Sequence, residues 1–128
     1  MTTKSAAILI GIIFIIVGLL GFVANPIVGD SESVIFHADT THNAVHIVSG
    51  VLFLFIGAAA TSAAAGFLKL FGIVYLGLGV WGLATIGSSE MTSLLGFLHV
   101  NAADNYLHMA LGAVIFLAGF LPQMARQS

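Results

Sequence analysis

The chain has 128 residues, 59% hydrophobic and 6% charged, where a soluble domain carries about 25% charged residues, so a lone water-soluble domain is excluded. Three Lys/Arg against five Asp/Glu exclude nucleic acid as a partner, because phosphate binding needs clustered cations. The absence of Cys excludes a disulfide framework, a thiolate metal site and a Cys nucleophile.

Four apolar runs follow in chain order. The first covers about residues 6–24 and ends at Asn25-Pro26, a strong breaker. It is longer than the apolar stretch of a secretory signal and reads as a retained span. The second covers about 42–62, the third about 67–87, and the fourth about 103–122, stopping at Pro122. A membrane span needs about 20 apolar residues, so the expected fold is all-α: an integral membrane four-helix bundle, one domain over residues 1–128.

The charges sort by side. Lys4, Lys69 and Arg126 fall at the N-terminus, between spans two and three, and at the C-terminus. Asp30, Glu32, Asp39, Glu90 and Asp104 fall in or beside the other two connections. Basic segments stay cytoplasmic, so both termini are expected to be cytoplasmic and the acidic connections outside, in a cell inner membrane. His37, His42, His46, His99 and His108 all lie on that outer side.

The chain also matches itself. Residues 36–57 and 98–119 align at an offset of 62, pairing His37 with His99, Asn43 with Asn105, His46 with His108, Gly50 with Gly112 and Gly57 with Gly119. Spans one and three align at an offset of 61, pairing Gly11 with Gly72, Gly18 with Gly79 and Gly21 with Gly82. Two parallel helix–loop–helix repeats are expected, about 5–62 and 66–122, related by an axis along the membrane normal. Each span carries two glycines seven residues apart, which keeps them on one helix face. Such stripes are read as close helix contacts, since small residues let backbones approach in lipid.

In spans two and four the stripe extends outward through Asn43 and His46, and through Asn105 and His108. Steps of three and four make a heptad seam, so these four residues should face the bundle interior. Polar groups at membrane depth are costly and need partners. In one reading, each Asn amide bonds the imidazole of the other repeat, a polar clamp that sets helix register. In another, the seam holds a ligand. His42 lies one turn before His46 and Asp104 one turn before His108, so His42, His46, His108 and Asp104 form a candidate quartet for zinc, copper or iron. Alternatively His46 and His108, with Asn43 and Asn105 beside them, form a cofactor site in which the two imidazoles ligate haem. A quinone or lipid is a further class of ligand.

Several residues have plain structural readings. Asp39 and Asn101 are N-cap residues before spans two and four, and Asp104 at N3 can close a capping box. His37 and His99 read as interfacial anchors after the short apolar stretches VIF and LLGFL. Trp81 and Tyr106 read as packing or belt aromatics. Gly77, Gly79 and Gly82 spell a nucleotide-loop-like run, but inside an apolar span, where helix packing explains them. Met91, Met109 and Met124 form no methionine-rich copper pattern. Enzymatic readings are weak: Ser49 follows His46 by three residues, yet Leu111 stands at the matching position of the second copy. No acidic residue lies mid-span to relay a proton.

The motifs HNAVHIVSG (42–50) and DNYLHMALG (104–112), with LLGFVANP and FGIVYLGLGVWGL of spans one and three, resemble the domain of unknown function 4383 family. These are small four-span bacterial membrane proteins with paired N-x-x-H-x-x-x-G motifs. The resemblance lands on Asn43, His46, Gly50 and on Asn105, His108, Gly112; His42 lies outside it. It implies the fold and an inner-membrane location, and no reaction. The leading functional expectation is a non-enzymatic accessory or scaffold protein, homo-oligomeric or within a larger membrane complex, whose one sure partner is the lipid bilayer. The alternatives are a metal- or haem-binding protein and an oligomeric pore or small-molecule carrier.

Overall fold

The computed structural model describes residues 1–31, 34–86, 91–94 and 98–123. Among them are four helices: α1 (Thr3–Leu20), α2 (Thr40–Ala59), α3 (Ala64–Ile86) and α4 (Ala102–Ala118), with a 3-10 turn at Thr61–Ala63 leading into α3. α1, α2 and the segment Thr61–Thr85 are long and apolar enough to cross a membrane, and α4 is a shorter apolar helix. Glu32, Glu90, Met124 and Arg126 lie outside the described residues.

Each helix begins and ends for a local reason. Thr2, Asp39 and Asn101 cap α1, α2 and α4 with side-chain oxygens that accept from backbone N–H groups, which satisfies donors otherwise left unpaired at a helix start. α1 stops at Leu20, earlier than its apolar run. The Asn25 amide holds that end: its Nδ2 donates to the Leu20 and Val28 carbonyls, each at 2.9 Å.

The connections are not plain loops, which corrects the purely helical expectation. β1 (Val28–Gly29) pairs in parallel with β2 (Phe36–His37), and β3 (Met91–Leu94) pairs antiparallel with β4 (Leu98–Asn101). Short apolar connections cannot leave backbone polar groups unbonded, so they bond to one another.

Helices pair closely as α1 with α2 and α3 with α4, and glycines set the approach. A Cβ on Gly50 would stand 2.7 Å from the Gly11 carbonyl oxygen; one on Gly112 would stand 2.7 Å from that of Gly72. A Cβ on Gly18 would stand 2.9 Å from the Asn43 carbonyl oxygen, and one on Gly79 would stand 2.6 Å from that of Asn105. The pairs meet through aromatic rings. Phe14 stands edge-on to Phe53 and Tyr75, each at 5.5 Å, and Phe53 to Phe71 at 4.7 Å, a geometry ring quadrupoles favour. Leu68 and Ile115 complete this buried core.

The two ends of the structure differ. At one, the Thr3 amide donates to the Pro122 carbonyl at 2.9 Å, Gly57 faces the Lys4 carbonyl, and Lys69 Nζ lies 4.2 Å over the Phe120 ring, a cation–π contact. At the other end lie the β pairs and the starts of α2 and α4.

Candidate functional site

The site is assembled by two helix caps. Asp39 Oδ1 accepts from the His42 amide at 2.9 Å, which starts α2 and puts His42 in its first turn, with His46 one turn on. In α4, Asn101 Oδ1 accepts from the Asp104 amide at 2.8 Å while Asp104 Oδ2 accepts from the Asn101 amide at 2.9 Å, a reciprocal capping box. Asp104 also accepts from the His37 backbone, and Asn101 Nδ2 donates to the Ile35 carbonyl at 3.2 Å. The first connection is thereby tied to the start of α4, and His108 follows one turn later. Asp104→Ala and Asn101→Ala should each cost about 1–2 kcal/mol, read as a lowered unfolding midpoint. The double variant should cost less than the two singles together, because each removes the same box.

Three imidazoles converge. The His42 ring centroid lies 4.6 Å from that of His46 and 5.6 Å from that of His108. One ring nitrogen from each residue falls within 4.8 Å of the other two. His46 Nδ1 and His108 Nδ1 are buried without a hydrogen-bond partner. The three rings and Asp104 line a cavity of about 200 Å³, otherwise walled by apolar side chains such as Phe14, Val17 and Leu107.

Asp104 reaches this cavity but stands outside the imidazole trio, since backbone donors hold its carboxylate. Asn43 and Asn105 are buried in the seam yet turned away from the rings, against Gly21 and Gly82 of the neighbouring helix. Asn43 Nδ2 donates to the Ala38 carbonyl at 3.3 Å. Asn43 Oδ1 and both amide atoms of Asn105 are without hydrogen bonds, so the expected amide–imidazole exchange between repeats is not made. A side chain seated in a glycine notch of its own helix pair cannot also span to the other pair. His37 is half-buried on β2, and Tyr106 and Trp81 are exposed.

One residue of the site escaped the sequence reading. Tyr75 lies 5.4 Å from the His108 ring and is hydrogen-bonded to Ser49, bracing the imidazole from the α3 side. A buried Tyr hydroxyl needs a partner, and Ser49 one turn beyond His46 is the signal that pointed to it.

Fold and site define a class: an apolar helical protein whose polar interior is a cluster of three imidazoles at one end. The chain belongs to the family described as domain of unknown function DUF4383, whose model matches residues 4–121. No curated protein and no solved structure matches it.

Proposed function

We propose that the protein is a multi-pass membrane protein that binds a first-row transition metal ion through His42, His46 and His108. One observation carries this reading: three imidazole nitrogens lie within 4.8 Å of one another at the wall of a cavity. Zn–N bonds of about 2.0–2.1 Å put tetrahedral ligand nitrogens about 3.4 Å apart. The trio therefore needs to close by at most about 1.4 Å. An all-nitrogen donor set suits zinc, copper, iron or nickel. Asp104 lines the same cavity, its carboxyl held by backbone donors. A scaffold clamp would satisfy its own polar atoms, whereas two of these rings keep a buried nitrogen unbonded. Haem fits less well: cofactor pockets usually run about 300–1,000 Å³, against about 200 Å³ here.

In this reading the chain is a four-helix bundle of two parallel repeats. The equivalent glycine contacts, Gly11 with Gly50 and Gly72 with Gly112, support a duplication. Its copies differ where the metal sits: His42 and Asp104 occupy equivalent positions, so only the first copy contributes a second imidazole. Lys4 and Lys69 share the end away from the site, which by the positive-inside tendency puts both termini in the cytoplasm and the imidazoles near the outer face of an inner membrane.

The test is elemental analysis of protein purified from membranes without chelator and equilibrated with zinc. Roughly one ion per chain is expected, held by three protein ligands with a fourth position left open, and His46→Ala or His108→Ala should lose it. Wild-type protein without stoichiometric metal, or variants that keep it, would overturn the reading.

A further inference from the structure

The imidazole cavity does not end at the imidazoles. A second cavity of about 200 Å³ adjoins it between α1 and α4, and Ile13, Phe14 and Leu111 line both. Taken together, the two cavities extend from His108 to Ala118 along α4, about 15 Å at 1.5 Å per residue, the length of an extended chain of about ten to twelve carbons. The lower walls of this groove are apolar, and its rim is formed by Leu9, Ile13 and Val114, which are 46%, 45% and 62% exposed. Among the described residues no Lys or Arg side chain lines either cavity, and Met1 lines the second. At the upper end stands His108, 6% exposed, with Nδ1 unbonded.

These features distinguish a ligand site from an ordinary lipid-facing crevice. A crevice for bulk acyl chains has no need of a polar terminus. A metal held by three imidazoles keeps one tetrahedral position for an exchangeable ligand. Any group taking that position lies in the cavity the rings line, next to the second cavity.

We infer that the α1–α4 groove admits a single-chain, membrane-dissolved amphiphile whose small oxygen head takes the open position on the ion, its tail lying along Ile13, Leu111 and Val114. The inference rests on the metal reading. Fatty carboxylates and quinols share this chemistry, an oxygen donor on one apolar chain. The groove sets the shape of the tail and the ion sets the chemistry of the head. The exchangeable ligand thus arrives from the bilayer rather than from water.

Cobalt(II) is the probe ion, because it accepts zinc's tetrahedral donors and absorbs visible light. The cobalt-loaded protein in detergent is titrated with decanoate, with a benzoquinol bearing a ten-carbon tail, and with acetate. Leu9→Trp and Val114→Trp fill the groove from opposite walls, and neither residue lines the imidazole end. One of the tailed probes is expected to shift the cobalt bands, and which one does so identifies the head. Both variants should keep the bands of the probe-free protein, which shows the site intact. They should need at least about tenfold more tailed probe for the same shift, a loss of about 1.4 kcal/mol, with the acetate response unchanged. Cobalt bands indifferent to both tailed probes, or equal tailed-probe titrations in wild type and variants, would overturn the groove inference and leave the metal reading standing. A wild-type protein without cobalt bands would overturn both.

Discussion

Gly112→Ala is expected to destabilise the protein strongly, although it adds a single methyl group. The new Cβ would stand 2.7 Å from the Gly72 carbonyl and would also meet the Leu76 backbone. Backbone atoms cannot step aside as a flexible side chain does, so α3 and α4 must move apart along their length. Overpacking of this kind costs about 1–3 kcal/mol, and separation of a paired helix puts the value at the upper end. Gly50→Ala should behave alike, because its Cβ would meet the Gly11 carbonyl at 2.7 Å and the Ile15 amide at 3.0 Å. Gly77→Ala is the control. Nothing lies within 4 Å of a Cβ there, and alanine is the better helix former by about 0.8–1 kcal/mol, so its stability should be unchanged or raised. The measurement is the unfolding midpoint of all three variants in one detergent. Equal midpoints for Gly112→Ala and Gly77→Ala would show that the helices do not meet at glycine.

The same contrast explains what the residues made legible. A seven-residue glycine spacing defines a helix face from geometry alone, so the seam was readable, and Asn43, Gly50, Phe53 and Gly57 are indeed buried. The capping roles of Asp39, Asn101 and Asp104 were readable too, because caps depend on neighbours three residues apart. The direction of the Asn side chains was not. Whether Asn43 reaches across to an imidazole or back to Gly21 is decided by the notch a third glycine leaves, and nothing in the spacing of Gly21 and Gly82 marks them as notches for a neighbouring amide. The β pairs were illegible for a related reason. Val28 pairs with Phe36, and Thr92 with Val100, through backbone groups whose need for partners is set by the surrounding fold rather than by periodicity. Among the candidate ligands, spacing placed His42 and Asp104 equally well, one turn before a seam histidine. Their environments part them, since backbone donors claim the carboxylate and leave the imidazole to its neighbours.

His42 is accordingly the residue that separates a three-imidazole site from one built on the repeated pair His46 and His108 alone. On the proposed metal reading, His42→Ala is expected to weaken zinc binding by well over about 100-fold, since loss of a mere supporting partner of a ligand already costs about 10–100-fold. Asp104→Ala, whose carboxylate lies outside the trio, should weaken it by no more than that lower range while costing stability through its cap. Competition against a chromophoric chelator measures both variants on one scale. Binding should also weaken as pH falls, because a metal-ligating imidazole must be neutral and protons compete for its nitrogen. That sign follows for every member of the trio. If His42→Ala kept wild-type affinity while His46→Ala and His108→Ala lost it, the site would be a two-histidine one, and the close approach of the His42 ring to both would be packing. If Asp104→Ala lost affinity as completely as the histidine variants, the carboxylate would have to leave its backbone donors on metal binding, and the start of α4 would rearrange with it.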